Sequence, residues 1–167
     1  FARYRVGDVY QCVGLKNFEE GTAIPRFRYV DRVLNIIDIA GFTRISVSSI
    51  STAIKHSKVK VIDWTARKEV SDSNRPFLKV YLEIDQTYLT NNPMSTEILK
   101  DLLTTYFKYI DQDYKDLEKI LGIDPLEIEL LPMDTFKKYK ETYAKPIRKL
   151  NATHHDVLNL LNFKDRG

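Results

Sequence analysis

The sequence predicts an α+β fold, a small mixed or antiparallel sheet covered by helices and preceded by a short β-hairpin and hinge. Three observations lead there. The first third reads as short strands and turns. Phe77 to Ile84 alternates, with Leu78, Val80, Leu82 and Ile84 facing one way and Lys79, Tyr81 and Glu83 the other. Thr96 to Ile110 then carries Ile98, Leu99, Leu102, Leu103, Tyr106, Phe107 and Ile110 on one broad helical stripe behind a Ser95 cap. A stripe of that width needs a sheet to cover.

Taken in order, Val9 to Leu15 and Pro25 to Val30 read as strands of a hairpin around a Glu19-Glu20-Gly21 loop, and Val33 to Ile39 reads as a connector. Ser46 is placed to cap a short amphipathic helix running to His56, with Val47, Ile50 and Ile54 at helical spacing. Val59 to Ala66 and Phe77 to Ile84 form two paired strands joined by the polar Ser71-Asp72-Ser73-Asn74 loop. After the long helix, Asp113 to Leu121 reads as a second one, burying Leu117, Ile120 and Leu121 and stopping at Gly122. Leu126 to Leu130 alternates as a strand that Pro132 stops, and Asp134 is positioned to cap a helix carrying Phe136 and Tyr139. Beyond Tyr143, Pro146 biases Lys145 towards extended backbone, so this lysine is expected on a mobile segment. A last helix, Asp156 to Phe163, docks through Val157, Leu160 and Leu161.

Composition bounds the function. At 167 residues and 43% hydrophobic content the chain holds a real core, and no internal repeat is present. The 26 basic and 23 acidic residues nearly cancel to +3, which disfavours nucleic acid as a partner. Cys12 is the single cysteine, which excludes an internal disulfide. Val33 to Phe42, the most apolar run, is broken by Asn35 and Asp38, and the amino terminus lacks a signal-peptide layout, so a cytoplasmic protein without membrane partners is expected. His154 and His155 are adjacent, which on a helix points them roughly 100° apart, so no metal site is expected. The serines at 46, 48, 49 and 51 lack a nucleophile elbow and read as capping and surface positions.

The most informative stretch is Arg3-Tyr4-Arg5-Val6-Gly7-Asp8-Val9, a glycine and a carboxylate at a turn between strand patterns. It begins inside a strand pattern, as expected of a piece of a longer polypeptide. A carboxylate there would accept hydrogen bonds from a ligand such as a ribose diol. Together with Val33-Leu34-Asn35-Ile36, Leu130-Leu131-Pro132-x-x-Thr135-Phe136 and Ile110-Asp111-Gln112-Asp113-Tyr114-Lys115-Asp116-Leu117, it resembles the Gretchen Hagen auxin-responsive family of acyl-acid amido synthetases, within the adenylate-forming superfamily. The resemblance is to the carboxy-terminal part of such enzymes, a lid that closes over a larger domain binding ATP and the acid.

The resemblance implies an ATP-dependent ligase chemistry, in which a carboxylic acid becomes an acyl-adenylate and an amino acid's amine then forms an amide, releasing AMP. It implies Asp8 as the ribose contact. The expected arginine before the hinge is replaced in Tyr29-Val30-Asp31-Arg32, which leaves Arg28 or Arg32 to face phosphate, and the lysine expected past the hinge has no counterpart beside Asp38-Ile39. Gly41-Phe42-Thr43-Arg44-Ile45 is similar to a structural segment after the hinge. Lys145-Pro146-Ile147-Arg148-Lys149 resembles the segment whose lysine reaches the acyl phosphate; Lys145 and Lys149 both fit, and Lys145 is preferred as the catalytic residue. Three regions follow: a hairpin and hinge at 1–32, a lid at 33–143 and a basic tail at 144–167. ATP with Mg²⁺ would be held mostly by the larger domain, and the lid would be inactive alone. The alternative is a non-catalytic protein-interaction module with the same fold.

Overall fold

The computed structural model describes residues 8–15, 21, 23–32, 36–39, 41, 43–110, 112–122 and 125–164. The chain divides into two compact units, Phe1–Leu34 and Asn35–Gly167. The first is a hairpin. Its strands β1 (Asp8–Gly14) and β2 (Arg26–Arg32) pair antiparallel, with register shifts at Val9/Tyr10 and Cys12/Gly14. Gly7, the other half of the turn singled out in the sequence, lies outside the described residues.

The second unit is built on a three-stranded mixed sheet in the order β5-β6-β7, from β5 (Val61–Val70), β6 (Pro76–Ile84) and β7 (Leu126–Leu131). The first two pair antiparallel and the last two parallel, so the chain must cross over between β6 and β7. Three helices make that crossover: α2 (Gln86–Asn91), α3 (Thr96–Ile110) and α4 (Gln112–Leu121). Ahead of the sheet, β3 (Ile36–Ile39) and β4 (Thr43–Ser46) form a small antiparallel hairpin that leads directly into α1 (Val47–Ser57). The described part of the connector expected over Val33 to Ile39, Ile36–Ile39, is thus one strand of a hairpin. Gly41, at φ +73°, turns it, donating its N–H to the Asp38 carboxylate at 2.7 Å.

The helix boundaries follow from local chemistry. Ser46 caps α1 in a reciprocal box with Ser49, each side chain accepting from the other's backbone N–H. Ser95 Oγ accepts from Ile98 N at 3.3 Å at the start of α3, and Gly122, at φ +67°, follows α4. On α3, Leu99, Leu103 and Phe107 are buried while Ile98 stays exposed; on α4, Leu117 is buried and Ile120 is exposed.

Both faces of β6 are covered. Leu78, Val80, Leu82 and Ile84 join Ile50 and Ala53 of α1, Leu99, Leu103 and Phe107 of α3, and Tyr114 and Leu117 of α4 in the larger core. On the opposite face Tyr81 and Leu131 pack with Phe136 and Tyr139 of α5 (Thr135–Tyr143) and with Val157 and Leu160 of α6 (His154–Leu161). The alternation read from the sequence therefore separates two cores rather than core from solvent.

The segment 144–153, expected to be mobile, is tied to the edge of β5. Ala66 donates to Lys149 O at 2.8 Å and accepts from Asn151 N at 2.9 Å, making a parallel bridge with Leu150. Thr65 Oγ1 donates to Arg148 O at 2.6 Å, and Asn151 Nδ2 reaches Ile36 O at 2.9 Å. Ile147, Leu150 and Ala152 are buried. The expectation of a mobile segment did not use the apolar side chains that recur after Pro146, at 147, 150 and 152.

Candidate functional site

The first group of candidate residues lies on the hairpin. Asp8 opens β1 and pairs in register with Arg32 at the end of β2, so the two expected nucleotide contacts stand opposite each other across one end of the ladder. Asp31 pairs with Val9, and Arg28 pairs with Gln11 further along, exposed to solvent.

Lys145 belongs to the second unit. It follows Ala144, whose left-handed backbone (φ 53°) ends α5 and turns the chain towards β5. Lys145 lines a pocket of about 280 Å³ with Tyr139, Pro146, Ile147, Arg148, Thr153 and Asp156. Its ammonium lies 3.6 Å from Asp156 Oδ1, with the lysine side chain 64% exposed and the aspartate 16%.

Asp156 is held by two hydroxyls. The Tyr139 hydroxyl donates to Oδ1 at 2.7 Å and the Thr153 hydroxyl to Oδ2 at 2.7 Å, while Asp156 N donates back to Thr153 Oγ1 at 3.0 Å as the cap of α6. The Thr153 hydrogen bond foremost, then that from Tyr139 and the charge of Lys145, hold its carboxyl below the usual carboxylate range against the effect of burial. Tyr139, fully buried, is pushed up to about 12 by burial first and by the Asp156 carboxylate second. At neutral pH the cluster is therefore an ionised carboxylate fed by a phenol that stays a donor. None of this was visible as a site in the sequence, although Thr153-His154-His155-Asp156 has the spacing of a helix N-cap and its partner three residues on, in the first turn.

Lys149, the other lysine that fits the tail motif, is engaged differently. Its ammonium contacts the Asp63 carboxylate and lies 5.1 Å from the centre of the Trp64 ring, so a charge pair and a cation–π contact hold it on β5. The two lysines are thus distinguished by their partners, a carboxylate and an aromatic ring for Lys149 and a carboxylate alone for Lys145. Among the described residues no group of three His, Cys, Asp or Glu side chains is arranged to hold a metal ion. None of the described helices is long and apolar enough to cross a membrane.

The chain resembles the GH3.15 acyl acid amido synthetase with a TM-score of 0.60 at 20% identity, over 97% of this chain and 30% of that one. It resembles AtGH3.15 acyl acid amido synthetase in complex with 2,4-DB with a TM-score of 0.59 at 17% identity, over 96% of this chain and 30% of that one. At such identities the likeness is one of fold. No curated protein matches the chain. The model of the GH3 family C-terminal domain matches residues 46–153, well over half of the chain, and the chain belongs to that family. The matched span includes Lys145 and Lys149 and begins after Asp8, Arg28 and Arg32. The chain spans about 30% of the length of the two synthetases it resembles.

Proposed function

We propose that this chain is the carboxy-terminal part of an acyl-adenylate-forming acyl-acid amido synthetase, which joins a carboxylic acid to an amino acid at the expense of ATP. The observation that carries the reading is the family domain at 46–153 with a lightly tethered, solvent-facing Lys145 at the edge of a polar pocket. In this reading the hairpin and hinge (1–32) and the lid (33–143) work with a larger domain that holds most of the nucleotide and the acid, and 144–167 supplies the catalytic lysine. Cytoplasmic location belongs to the same proposal.

The chemistry asked of these residues is electrostatic. Adenylation brings a carboxylate oxygen onto the α-phosphate and expels pyrophosphate, so negative charge concentrates around phosphorus. The Lys145 ammonium, placed there, stabilises that charge more in the transition state than in the ground state, an effect typically worth about 10²–10³ in rate. Asp8 accepts from ribose hydroxyls, a charge-assisted bond worth ~1.5–3 kcal/mol, and Arg32 or Arg28 offers donors to phosphate. The donor types fit a nucleotide; Mg²⁺ finds no acidic cluster among the described residues and would be held by nucleotide phosphates and the larger domain.

The test is ATP–pyrophosphate exchange by this chain joined to the larger domain, with a panel of carboxylic acids. Lys145→Ala is expected to lower kcat by about 10²–10³, and Asp8→Ala to raise KM for ATP by roughly tenfold or more. Exchange at the wild-type rate in both variants would overturn the site. Absence of exchange with any acid, in an enzyme shown to be folded, would favour the interaction-module alternative.

A further inference from the structure

Asp156 and Lys145 form an unequal pair. The carboxylate is fixed: its two oxygens accept from Tyr139 and Thr153 at 2.7 Å each, Tyr139 is fully buried, and Thr153 is the cap of α6. The ammonium is loose: it meets one carboxylate oxygen at 3.6 Å and is mostly in solvent. An ion pair of that exposure holds its partner by less than about a factor of five. Backbone on either side is anchored, by the end of α5 at Ala144 and by the Thr65 hydrogen bond to Arg148 O, so the lysine can swing on its own side chain without the segment coming away.

We propose that Asp156 is a positioning residue that docks the Lys145 side chain in a resting orientation at the pocket edge, from which it must be released to reach the reacting phosphate. The proposal rests on Lys145 being the catalytic lysine. Tyr139 and Thr153 serve it by holding the dock still, so that release changes one contact only. Lys149 has two partners, the Asp63 carboxylate and the Trp64 ring, where Lys145 has one.

The experiment uses the enzyme containing this chain and its larger domain, with Asp156→Asn, Asp156→Glu and Lys145→Ala. Asparagine keeps the shape and leaves partners for both hydroxyls, which donate or accept as needed. Asp156→Asn is expected to speed acetylation of the Lys145 amine by acetic anhydride about two- to fivefold, with Lys149 unchanged as the internal reference. It should raise kcat of ATP–pyrophosphate exchange by up to the same factor with KM unchanged, and Asp156→Glu should restore both. Unchanged labelling of Lys145 overturns the dock. Faster labelling without a change in kcat, in an enzyme that Lys145→Ala inactivates, overturns its role in positioning. Full exchange activity of Lys145→Ala would instead remove the catalytic reading on which the proposal rests, and so is told apart from failure of the dock itself. If Asp156→Asn unfolds the enzyme, Asp156→Ser, which removes the charge and keeps a short polar side chain near the start of α6, decides: faster labelling of Lys145 with a raised kcat supports the dock, and labelling at the wild-type rate overturns it.

Discussion

Glu83 lies on β6, only 2% exposed, and its two carboxylate oxygens accept from Asp134 N at 2.8 Å and Phe136 N at 3.0 Å. A buried carboxylate is costly unless its oxygens are satisfied, and the first turn of a helix offers unpaired N–H groups and a positive dipole end. Glu83 therefore does for α5 what Asp134 was expected to do; Asp134 itself takes a left-handed backbone (φ 65°) and makes no side-chain cap. Glu83→Gln turns one acceptor into a donor facing an N–H and should cost about 1–3 kcal/mol, read as a lower urea midpoint with unchanged slope. Tyr139 and Asp156 give the pH dependence. The phenol's pKa is raised from 10.0 to about 12 in the folded chain, so its contribution to stability is whole below pH 10 and is lost as pH climbs towards 12. The Asp156 pKa is lowered from 3.8, so its contribution is whole above that value and is lost as pH falls through the depressed one. Tyr139→Phe should flatten the alkaline limb of a stability–pH curve and Asp156→Asn the acid limb; curves that superimpose on the wild type would refute the linkage.

At the scale of elements, the segment 144–153 is joined to the β5 edge by a single parallel bridge at Leu150, and its hold is apolar as well as hydrogen-bonded. Leu150 is 3% exposed and shares the larger core with Trp64 and Ala66, while Ile147 belongs to the smaller one. One short extended segment thus stitches the two cores together. Leu150→Ala should cost ~2–5 kcal/mol, as large-to-small changes in cores do, and should also release the backbone beside Lys145, seen as faster proteolysis within 144–153. Resistance equal to the wild type would show that the hydrogen bonds suffice. The same element-level logic accounts for α6: Lys164, just beyond it, reaches Glu129 on β7 at 2.8 Å, where Lys79 also pairs at 3.2 Å. Burial works against the ionised Glu129, yet hydrogen bonds from the two lysines prevail and hold its carboxyl below the usual range.

For the molecule as a whole, the contrast between units is one of cooperativity. The β1–β2 hairpin is a two-stranded sheet with Tyr10, Val13 and Phe27 exposed, and such a hairpin is marginal in water. The second unit buries both faces of its central strand. Amide exchange in β1 and β2 is expected to be faster than in β5 and β6 by several orders of magnitude; equal protection would mean that the hairpin folds with the rest. Much of this was legible in the chain. The period-3.6 stripe of α3, the Ser46 and Ser95 caps, the Gly122 stop and the alternation of β6 are local patterns, and local sterics and backbone hydrogen bonding decide them. The expectations at Asp8 and Lys145 rest likewise on neighbours in sequence. What alternation on β6 could not say is that its second face meets α5 and α6, because both faces of a strand are distinguished only by what packs on them. Nor could adjacency in sequence show Glu83 capping a helix 51 residues on, or Asp156 held by Tyr139 and receiving Lys145. Sequence alone set the elements and the residues worth watching; the tertiary structure decided which charges meet, because desolvation and hydrogen-bond geometry act between side chains that only folding brings within reach.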